Sequence, residues 1–330
     1  MKTSFLGIDI AKMKFDVALL VNEKQKIKQF KNDRDGFQLF NKWLKKCDVS
    51  CLHVCMEATG NYGEELATFL YENGYRVSVV NPAQIKGFAQ CELARTKTDV
   101  ADARLIARFC QAMRPALWQP KPQHVRELQQ WVRRVDSLQI MRQQECNRRG
   151  TSSCEQILAT IDAHIASLDE QIAFAKRMIQ TQIAEHPDLH KKRALLESIP
   201  GVSEATVAQV LAFFGEPKDF SSAREVSAFI GLNPRQYQSG TSVHGRTRIS
   251  KTGDSRLRKS LYMPALVAMK HNPTIKMFCE SLRQRGKAKM AIVVAAMRKL
   301  VHIIYGVLKN GQPYNPNWKP ISIGVLAHMP

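Results

Sequence analysis

The sequence predicts an α/β domain followed by a mostly helical region, with two long helices between them. Three observations lead to this fold class. Strand patterns alternate with helical patterns through the first 115 residues. After a proline-containing segment, apolar residues recur every three or four positions over two long stretches. From residue 189 the chain keeps helical spacing and becomes strongly basic. We therefore divide it into residues 1–115, 116–188 and 189–330.

The N-terminal region begins with two strands joined by a short turn. Residues 4–10 alternate in polarity and residues 15–21 are mostly apolar, which is typical of strands. Helical and strand patterns then follow in turn, and they predict a third strand at 26–30, a helix at 34–46, a strand at 52–56, a helix at 64–72, a strand at 76–80 closed by Asn81-Pro82, and a helix at 98–111. This alternation indicates a partly parallel sheet.

Proline residues at 115, 120 and 122 mark a linker. Beyond it, helical spacing of apolar residues runs from Leu128 to Leu138 and from Ile161 to Ile179. These segments predict an antiparallel or intermolecular coiled coil that acts as a dimerisation or spacer arm. The alternative is two ordinary amphipathic helices packed on the domain.

The charge of the chain points to a polyanionic partner. Lys+Arg total 49 against 29 Asp+Glu, which gives +20 and a pI near 9.8. Residues 224–299 contain 16 Lys/Arg and 3 Asp/Glu, so the excess is concentrated there and predicts a nucleic-acid surface. No stretch reaches the roughly 18 uninterrupted apolar residues of a membrane span. Charges interrupt residues 1–21, so we expect no signal peptide and a cytoplasmic protein without a membrane partner.

Four carboxylates in the N-terminal region form a candidate metal site. Asp9 lies within an apolar strand, where burial of a charge is costly unless a cation or another partner binds it. Glu57 ends another predicted strand, and Asp99 and Asp102 share one helix face. Clustered carboxylates are the ligands that Mg²⁺ prefers. Each acid alone also fits a plainer role as a turn cap, a helix-entry residue or a solvated helix surface.

These acids lie in recognisable strings: Gly7-Ile-Asp-Ile-Ala-Lys12, Glu57-Ala-Thr-Gly60 and Lys97-Thr-Asp-Val-Ala-Asp-Ala-Arg104. Their order resembles the RuvC-like branch of the ribonuclease H fold. The strings, with Asn81-Pro82, look like those of the Asp-Glu-Asp-Asp transposases of bacterial insertion sequences, family 110, and of related DNA invertases. The resemblance covers roughly residues 4–112 and 190–310. It implies a catalytic domain in which Asp9, Glu57, Asp99 and Asp102 are the metal ligands.

Residues 195–203, followed by an apolar helix at 205–214, resemble a helix-hairpin-helix. Such a hairpin places backbone amides against DNA phosphates. Ser203 stands where the usual pattern has a second glycine. The alternative is a turn between helices that serves packing alone.

A basic loop follows, in which a serine beside a glycine is a candidate nucleophile toward phosphate. Ser239, Ser242, Ser250 and Ser255 all compete for that role on chemistry alone. His244 is a candidate general acid or base, and equally a solvent-facing loop histidine. The basic residues expected to contact nucleic acid are Arg235, Arg246, Arg248, Lys251, Arg256, Arg258 and Lys259.

The family resemblance selects among these serines. Tyr237-Gln-Ser239-Gly-Thr-Ser242 matches the family's serine motif and implies that Ser239 forms a phosphoserine link to DNA. It further implies a homo-oligomer, from dimer to tetramer, in which the acidic site and the serine come from different subunits. It also implies a non-coding guide RNA that pairs with donor and target DNA.

The preferred hypothesis is therefore an RNA-guided transposase that cuts and rejoins DNA. A second is a RuvC-like nuclease or junction resolvase that uses water and forms no serine intermediate. A site-specific DNA invertase is a close variant of the first, because the layout of the DNA distinguishes the two. A third class is a non-catalytic nucleic-acid scaffold.

Overall fold

The computed structural model describes residues 3–21, 24–47, 49, 51–58, 62–93, 98–239, 243–245 and 248–317. The chain divides into two units, residues 1–121 and residues 122–330. The first unit contains a mixed sheet with helices, and the second is mostly helical. The predicted combination of an α/β N-terminal part and a mostly helical C-terminal part is therefore confirmed.

The N-terminal unit is organised around a five-stranded sheet of order β3-β2-β1-β4-β5. Strands β1, β2 and β3 pair antiparallel, whereas β4 and β5 run parallel to β1. The strands are β1 Ser4–Ile10, β2 Lys14–Val21, β3 Lys24–Lys31, β4 Leu52–Glu57 and β5 Arg76–Val80. Because parallel strands end at the same edge, the carboxyl ends of β1, β4 and β5 lie together.

Helices cover both faces of this sheet. They are α1 Arg34–Lys46, α2 Glu64–Glu72, α3 Pro82–Cys91 and α4 Asp99–Met113. Leu6, Ile8 and Phe15 on one face join the core formed with α1 and α2. The opposite face lies under α4. A Cβ atom at Gly7 would lie 2.2 Å from the carbonyl oxygen of Ala103, so this close approach requires glycine.

Helix α4 runs antiparallel to β1 and β4. Near its C-terminal end, Cys110 Sγ donates to the carbonyl oxygen of His53, at the start of β4, over 3.7 Å. Nearer its N-terminal end, Ala103 lies over Gly7 in the middle of β1. The N-terminus of α4 is therefore at the edge where β1 and β4 end.

The second unit begins with two long helices, α5 Gln123–Arg149 and α6 Glu155–Glu185. They form an antiparallel hairpin within one chain. Ion pairs of 2.6 Å join Arg149 to Asp162 near the tip and Arg142 to Asp169 further along. The base of the hairpin packs on the following helices, because buried Gln129 donates to the carbonyl oxygen of Ala212 over 2.6 Å.

The remaining helices of this unit share one core with the hairpin. The helices are α7 Pro187–Glu197, α8 Glu204–Phe213, α9 Ala223–Ile230, α10 Ser255–Ser260, α11 Tyr262–His271, α12 Pro273–Gln284 and α13 Lys289–Asn310. Two short antiparallel pairs join β6 Pro234–Arg235 to β9 Arg248–Ile249 and β7 Gln238–Ser239 to β8 Val243–His244.

The loop between α7 and α8 packs against α11. Gly201 has a φ of +101°, and a Cβ there would lie 2.7 Å from the Cβ of Ala268. The carbonyl oxygen of Pro200 accepts from Asn272 Nδ2 over 3.5 Å. These contacts give the turn a packing role within this unit.

Helix α13 is long and apolar enough, by composition, to cross a membrane, with a mean hydropathy of 1.8. Half of that stretch is buried inside the unit. Leu300, Val301 and Ile304 on this helix are fully buried in the shared core. Packing in the core therefore accounts for its apolar character.

Candidate active site

The predicted acids of the first unit lie at one edge of the sheet. Alternation along β1 places Asp9 on the same face as Gly7, beneath α4. Glu57, the last residue of β4, shares that face with buried Cys55, which packs in the α4 core. Asp99 and Asp102 lie in the first turn of α4. Because α4 begins at this edge, four carboxylates from three elements face one region.

The electrostatics of Asp9 reflect this arrangement. Burial, followed by the charges of Asp102, Asp99 and Glu57, raises the pKa of Asp9 from 3.8 to about 6. Carboxylates so placed disfavour each other's ionisation unless a cation is present. Among the residues that the structure describes, no three His, Cys, Asp or Glu side chains are close enough to hold a metal ion. The acids thus face one another without converging on one point.

Two further charged residues lie in this site beside the four predicted acids. Asp16 lies directly opposite Asp9 in the β1–β2 register and is 3% exposed. Its two oxygens accept from Gln29 Nε2 over 2.9 and 3.1 Å. Lys14 Nζ lies 2.8 Å from Asp99 Oδ2 and 3.5 Å from Asp16 Oδ2. The hydrogen bond from Lys14 lowers the pKa of Asp99.

A signal for Asp16 was present in the sequence. Four residues, 11–14, separate the paired residues Ile10 and Phe15, and this turn makes Asp9 and Asp16 cross-strand partners. Like charges directly opposite each other are destabilising, so they indicate a bound cation or a counterion. Lys14 is that counterion in this structure.

The basic residues of the second unit do not all have the same role. Arg235 and Arg248 pair across β6 and β9 and are exposed. Arg256 and Lys259 are exposed on α10. Arg258 Nη1 donates to the carbonyl oxygen of Ile230 over 2.9 Å, so this guanidinium caps α9.

The remaining predicted residues lie in or beside the short strands. Lys251 is exposed and adopts a positive φ of 55°. The backbone of Ser239 lies in β7 and that of His244 lies in β8. Their side chains lie outside the described part of the structure. Ser242 and Arg246 lie outside the described residues altogether.

Comparison with known proteins connects this arrangement to a family. Residues 6–150 match a family model described as a transposase of the DEDD, IS110 type. Residues 193–280 match a model described as the IS116/IS110/IS902 transposase family. The pilin gene-inverting protein of Moraxella bovis is 33% identical over 318 residues, which cover 96% of this chain and 98% of that protein.

The chain belongs to the IS110 family of transposases. It is therefore an enzyme that cuts and rejoins DNA. The pilin gene-inverting protein of Moraxella lacunata is equally similar, at 33% identity over the same length. The transposase of insertion sequence IS1111A from Coxiella burnetii is 26% identical over 345 residues, 94% of this chain and 90% of that protein. The family predicted from the acidic strings is thus confirmed.

Proposed function

We propose that this IS110-family transposase uses Asp9, Glu57, Asp99 and Asp102 as a RuvC-like acidic site and Ser239 as its nucleophile. The observation that carries the acidic half is the raised pKa of Asp9, which burial and the other three carboxylates produce together. A group shifted in this way by a specific charge cluster is a functional-site candidate. The charge cluster lies at the carboxyl edge of the sheet, next to the N-terminus of α4.

The chemistry of these donors suits a divalent cation such as Mg²⁺, and binding would draw together carboxylates that do not converge in this structure. Four carboxylates supply hard oxygen ligands, and their mutual repulsion in the metal-free protein favours cation binding. The ion would be held by Asp9, Glu57, Asp99 and Asp102. When the ion binds, Lys14 would give up its ion pair with Asp99. Bound Mg²⁺ supplies charge stabilisation to phosphate oxygens during phosphodiester cleavage.

Ser239 supplies the covalent step in this proposal. Its Oγ forms a bond to phosphorus, and the bond from phosphorus to one sugar oxygen breaks. The serine proton passes through solvent to that leaving oxygen. Attack by a DNA hydroxyl on the phosphoserine then rejoins the strands and regenerates the serine. The support is the Tyr237-Gln-Ser239-Gly-Thr-Ser242 string and the basic residues that flank it.

We assign phosphate binding to the basic residues around this loop. Their guanidinium and ammonium groups suit phosphate oxygens. Arg258 would act mainly through the cap that it provides to α9. The set is Arg235, Arg246, Arg248, Lys251, Arg256, Arg258 and Lys259.

The partners in this proposal are donor and target DNA, together with a non-coding RNA of the element that guides their pairing. The net charge of +20 suits a protein that holds several nucleic-acid strands. Family resemblance supports a homo-oligomer, up to a tetramer, in the bacterial cytoplasm. In that assembly the acidic site of one copy acts with Ser239 of another.

One alternative has direct support. Two relatives that align over 96% of this chain are named pilin gene-inverting proteins, so site-specific DNA inversion is a second candidate function. A RuvC-like nuclease or junction resolvase would keep the acidic site but would not need Ser239.

A recombination assay in cells tests the proposal. The cells carry the element's ends with flanking non-coding DNA, on plasmids arranged for either transposition or inversion. We expect wild type to join the DNA, and Ser239→Ala and Asp9→Asn to lose joining. Ser255→Ala, another serine of the basic region, is the matched control and should retain it. Joining by Ser239→Ala would contradict the serine assignment and favour the water-dependent nuclease.

A further inference from the structure

A groove of about 800 Å³ crosses the second unit, between the α5–α6 hairpin and helices α8, α10 and α11. None of its described lining residues belongs to the short strands β6 to β9. Apolar walls include Ile140 on α5 and Met263 on α11, both more than half exposed. Arg256, Lys259 and Lys176 place cations along its lining.

The groove also contains a polar pair whose hydrogen bonding is incomplete. Gln209 Nε2 donates to the two carboxylate oxygens of half-buried Asp136 over 3.2 and 3.3 Å. Gln209 Oε1 is buried and has no hydrogen-bond partner among the described residues. The carboxylate fixes the orientation of the amide, because a flipped amide would place oxygen against oxygen. The amide nitrogen of Gln209 thus donates within the pair, and Asp136, which lines the groove, has only acceptor lone pairs to offer a ligand.

A half-buried carboxylate gains free energy from charge-assisted hydrogen bonds, which a ligand with matching donors would supply. Burial also raises the pKa of Asp136, because desolvation disfavours the ionised carboxylate. The groove lining has a small positive net charge, because it contains three cationic side chains and two carboxylates, Asp136 and Glu204. Glu204 already accepts a hydrogen bond from Gln180 over 2.7 Å. Glu204 also lies 3.9 Å from Arg193 Nη2, whereas among the described residues Asp136 accepts from Gln209 alone. Asp136 is thus the carboxylate of the lining with lone pairs left for a ligand.

We propose that this groove binds an unpaired guanine nucleotide. The Watson–Crick edge of guanine offers two adjacent donors, N1–H and the N2 amino group, which match one carboxylate. Adenine and cytosine offer one amino group there, and uracil offers one N–H. The base would lie between the apolar walls, and the cations would hold its phosphate. The inference rests on the proposed function in one respect: the guanine would come from an unpaired position in the RNA or DNA on which the transposase acts.

Nucleotide titrations of the full-length protein test the proposal without any recombination substrate. Methyl signals of Ile140 and Met263 in NMR spectra report binding of 5′-GMP, 5′-IMP, 5′-AMP, 5′-CMP and 5′-UMP. We expect saturable binding of GMP, and affinities at least about tenfold weaker for the other four. Inosine monophosphate is the sharpest comparison, because it differs from GMP only by the N2 amino group.

Three variants separate recognition of the base from recognition of the phosphate. Asp136→Asn should weaken the binding of GMP at least about tenfold and leave the affinity for AMP unchanged. Lys259 is exposed on the groove lining, and Lys259→Gln should weaken the binding of GMP but not that of guanosine. Asp169→Asn, an exposed carboxylate on the same hairpin but outside the groove, should change neither.

Short single strands with one central guanine, made as RNA and as DNA, identify the source of the guanine. The source is the strand that binds more tightly and whose binding is weakened in Asp136→Asn. Equal affinity for all five nucleotides would overturn the proposal. So would groove signals that shift with protein concentration alone, since a second copy of the chain would then occupy the groove. Ser239→Ala and Asp9→Asn should bind GMP normally, so loss of recombination and loss of nucleotide binding are separate results.

Discussion

The Nζ atom of Lys14 lies 2.8 Å from Oδ2 of Asp99, which ties β2 to the first turn of α4. The same ammonium lies 3.5 Å from buried Asp16, the cross-strand partner of Asp9. A cation of the chain therefore already stands within the acidic cluster. We infer that Lys14 partly compensates the charge that a metal ion would compensate in the active complex.

Replacement of Lys14 should therefore strengthen metal binding. We expect Lys14→Met to bind Mg²⁺ about two- to tenfold more tightly than wild type, because no ammonium competes for Asp99. Isothermal titration calorimetry of the full-length protein measures this. Lys24→Met, at the far end of the β2–β3 pair, is the matched control and should bind as wild type does. Weaker binding by Lys14→Met alone would show that the lysine supports the metal site.

Ionised Asp9 should lower the free energy of unfolding of the protein when no metal ion is bound. Its pKa is raised to about 6, so its ionised form is disfavoured at neutral pH. We expect Asp9→Asn to increase the free energy of unfolding by about 1–3 kcal/mol in EDTA at pH 7.5. Urea denaturation measures the change, and added Mg²⁺ should stabilise wild type but not the variant. Glu72→Gln, exposed at the end of α2, should behave as wild type. Unchanged stability in Asp9→Asn would contradict the crowding of charge at this residue.

Gly7 should tolerate no side chain. A Cβ there would lie 2.2 Å from the carbonyl oxygen of Ala103 and 2.3 Å from the nitrogen of Ala107. We expect Gly7→Ala to destabilise the N-terminal unit by about 3 kcal/mol or more. Gly87→Ala in α3, where no atom lies within 4 Å of the added Cβ, should be neutral or slightly stabilising. Equal urea midpoints for the two variants would argue against the close packing of α4 on β1.

Complementation tests the proposed sharing of sites between subunits. Asp9→Asn lacks the acidic half, and Ser239→Ala lacks the serine half. If the two halves come from different copies, co-expression of the variants should restore about a tenth to a half of wild-type joining. A chain carrying both substitutions, co-expressed with Asp9→Asn, is the control and should give none. Failure of the two single variants to complement would indicate that both halves act within one chain.

Much of the N-terminal unit was predictable, because its periodicity is strong. The helix predicted at 34–46 is α1, and the turn between two strands is the β1–β2 hairpin. The sequence pattern does not predict helix α3, because Asn81-Pro82 is also typical of the end of a strand. Asn81 is in fact the N-cap of α3, accepting from the nitrogen of Ala83 over 2.9 Å, and Pro82 is the first helical residue.

The site was only partly predictable, because it depends on strand register and on tertiary packing. Asp9, Glu57, Asp99 and Asp102 stand out by motif and by position within their elements. Asp16 and Lys14 join them only through the β1–β2 register. The cap that Arg258 provides to α9 likewise depends on tertiary packing, since it joins residues 28 positions apart. Charge alone does not distinguish such a structural arginine from one that binds phosphate.

The covalent link between protein and DNA is the most direct test of the central claim. Trypsin cuts after Arg235 and Arg246, so Ser239 lies in the peptide 236–246. Wild-type complexes are quenched during recombination, digested with nuclease and trypsin, and examined by tandem mass spectrometry. We expect a nucleotide attached to Ser239 in wild type and none in Asp9→Asn. Cleaved DNA without any adduct on this peptide would contradict the account and favour water as the nucleophile.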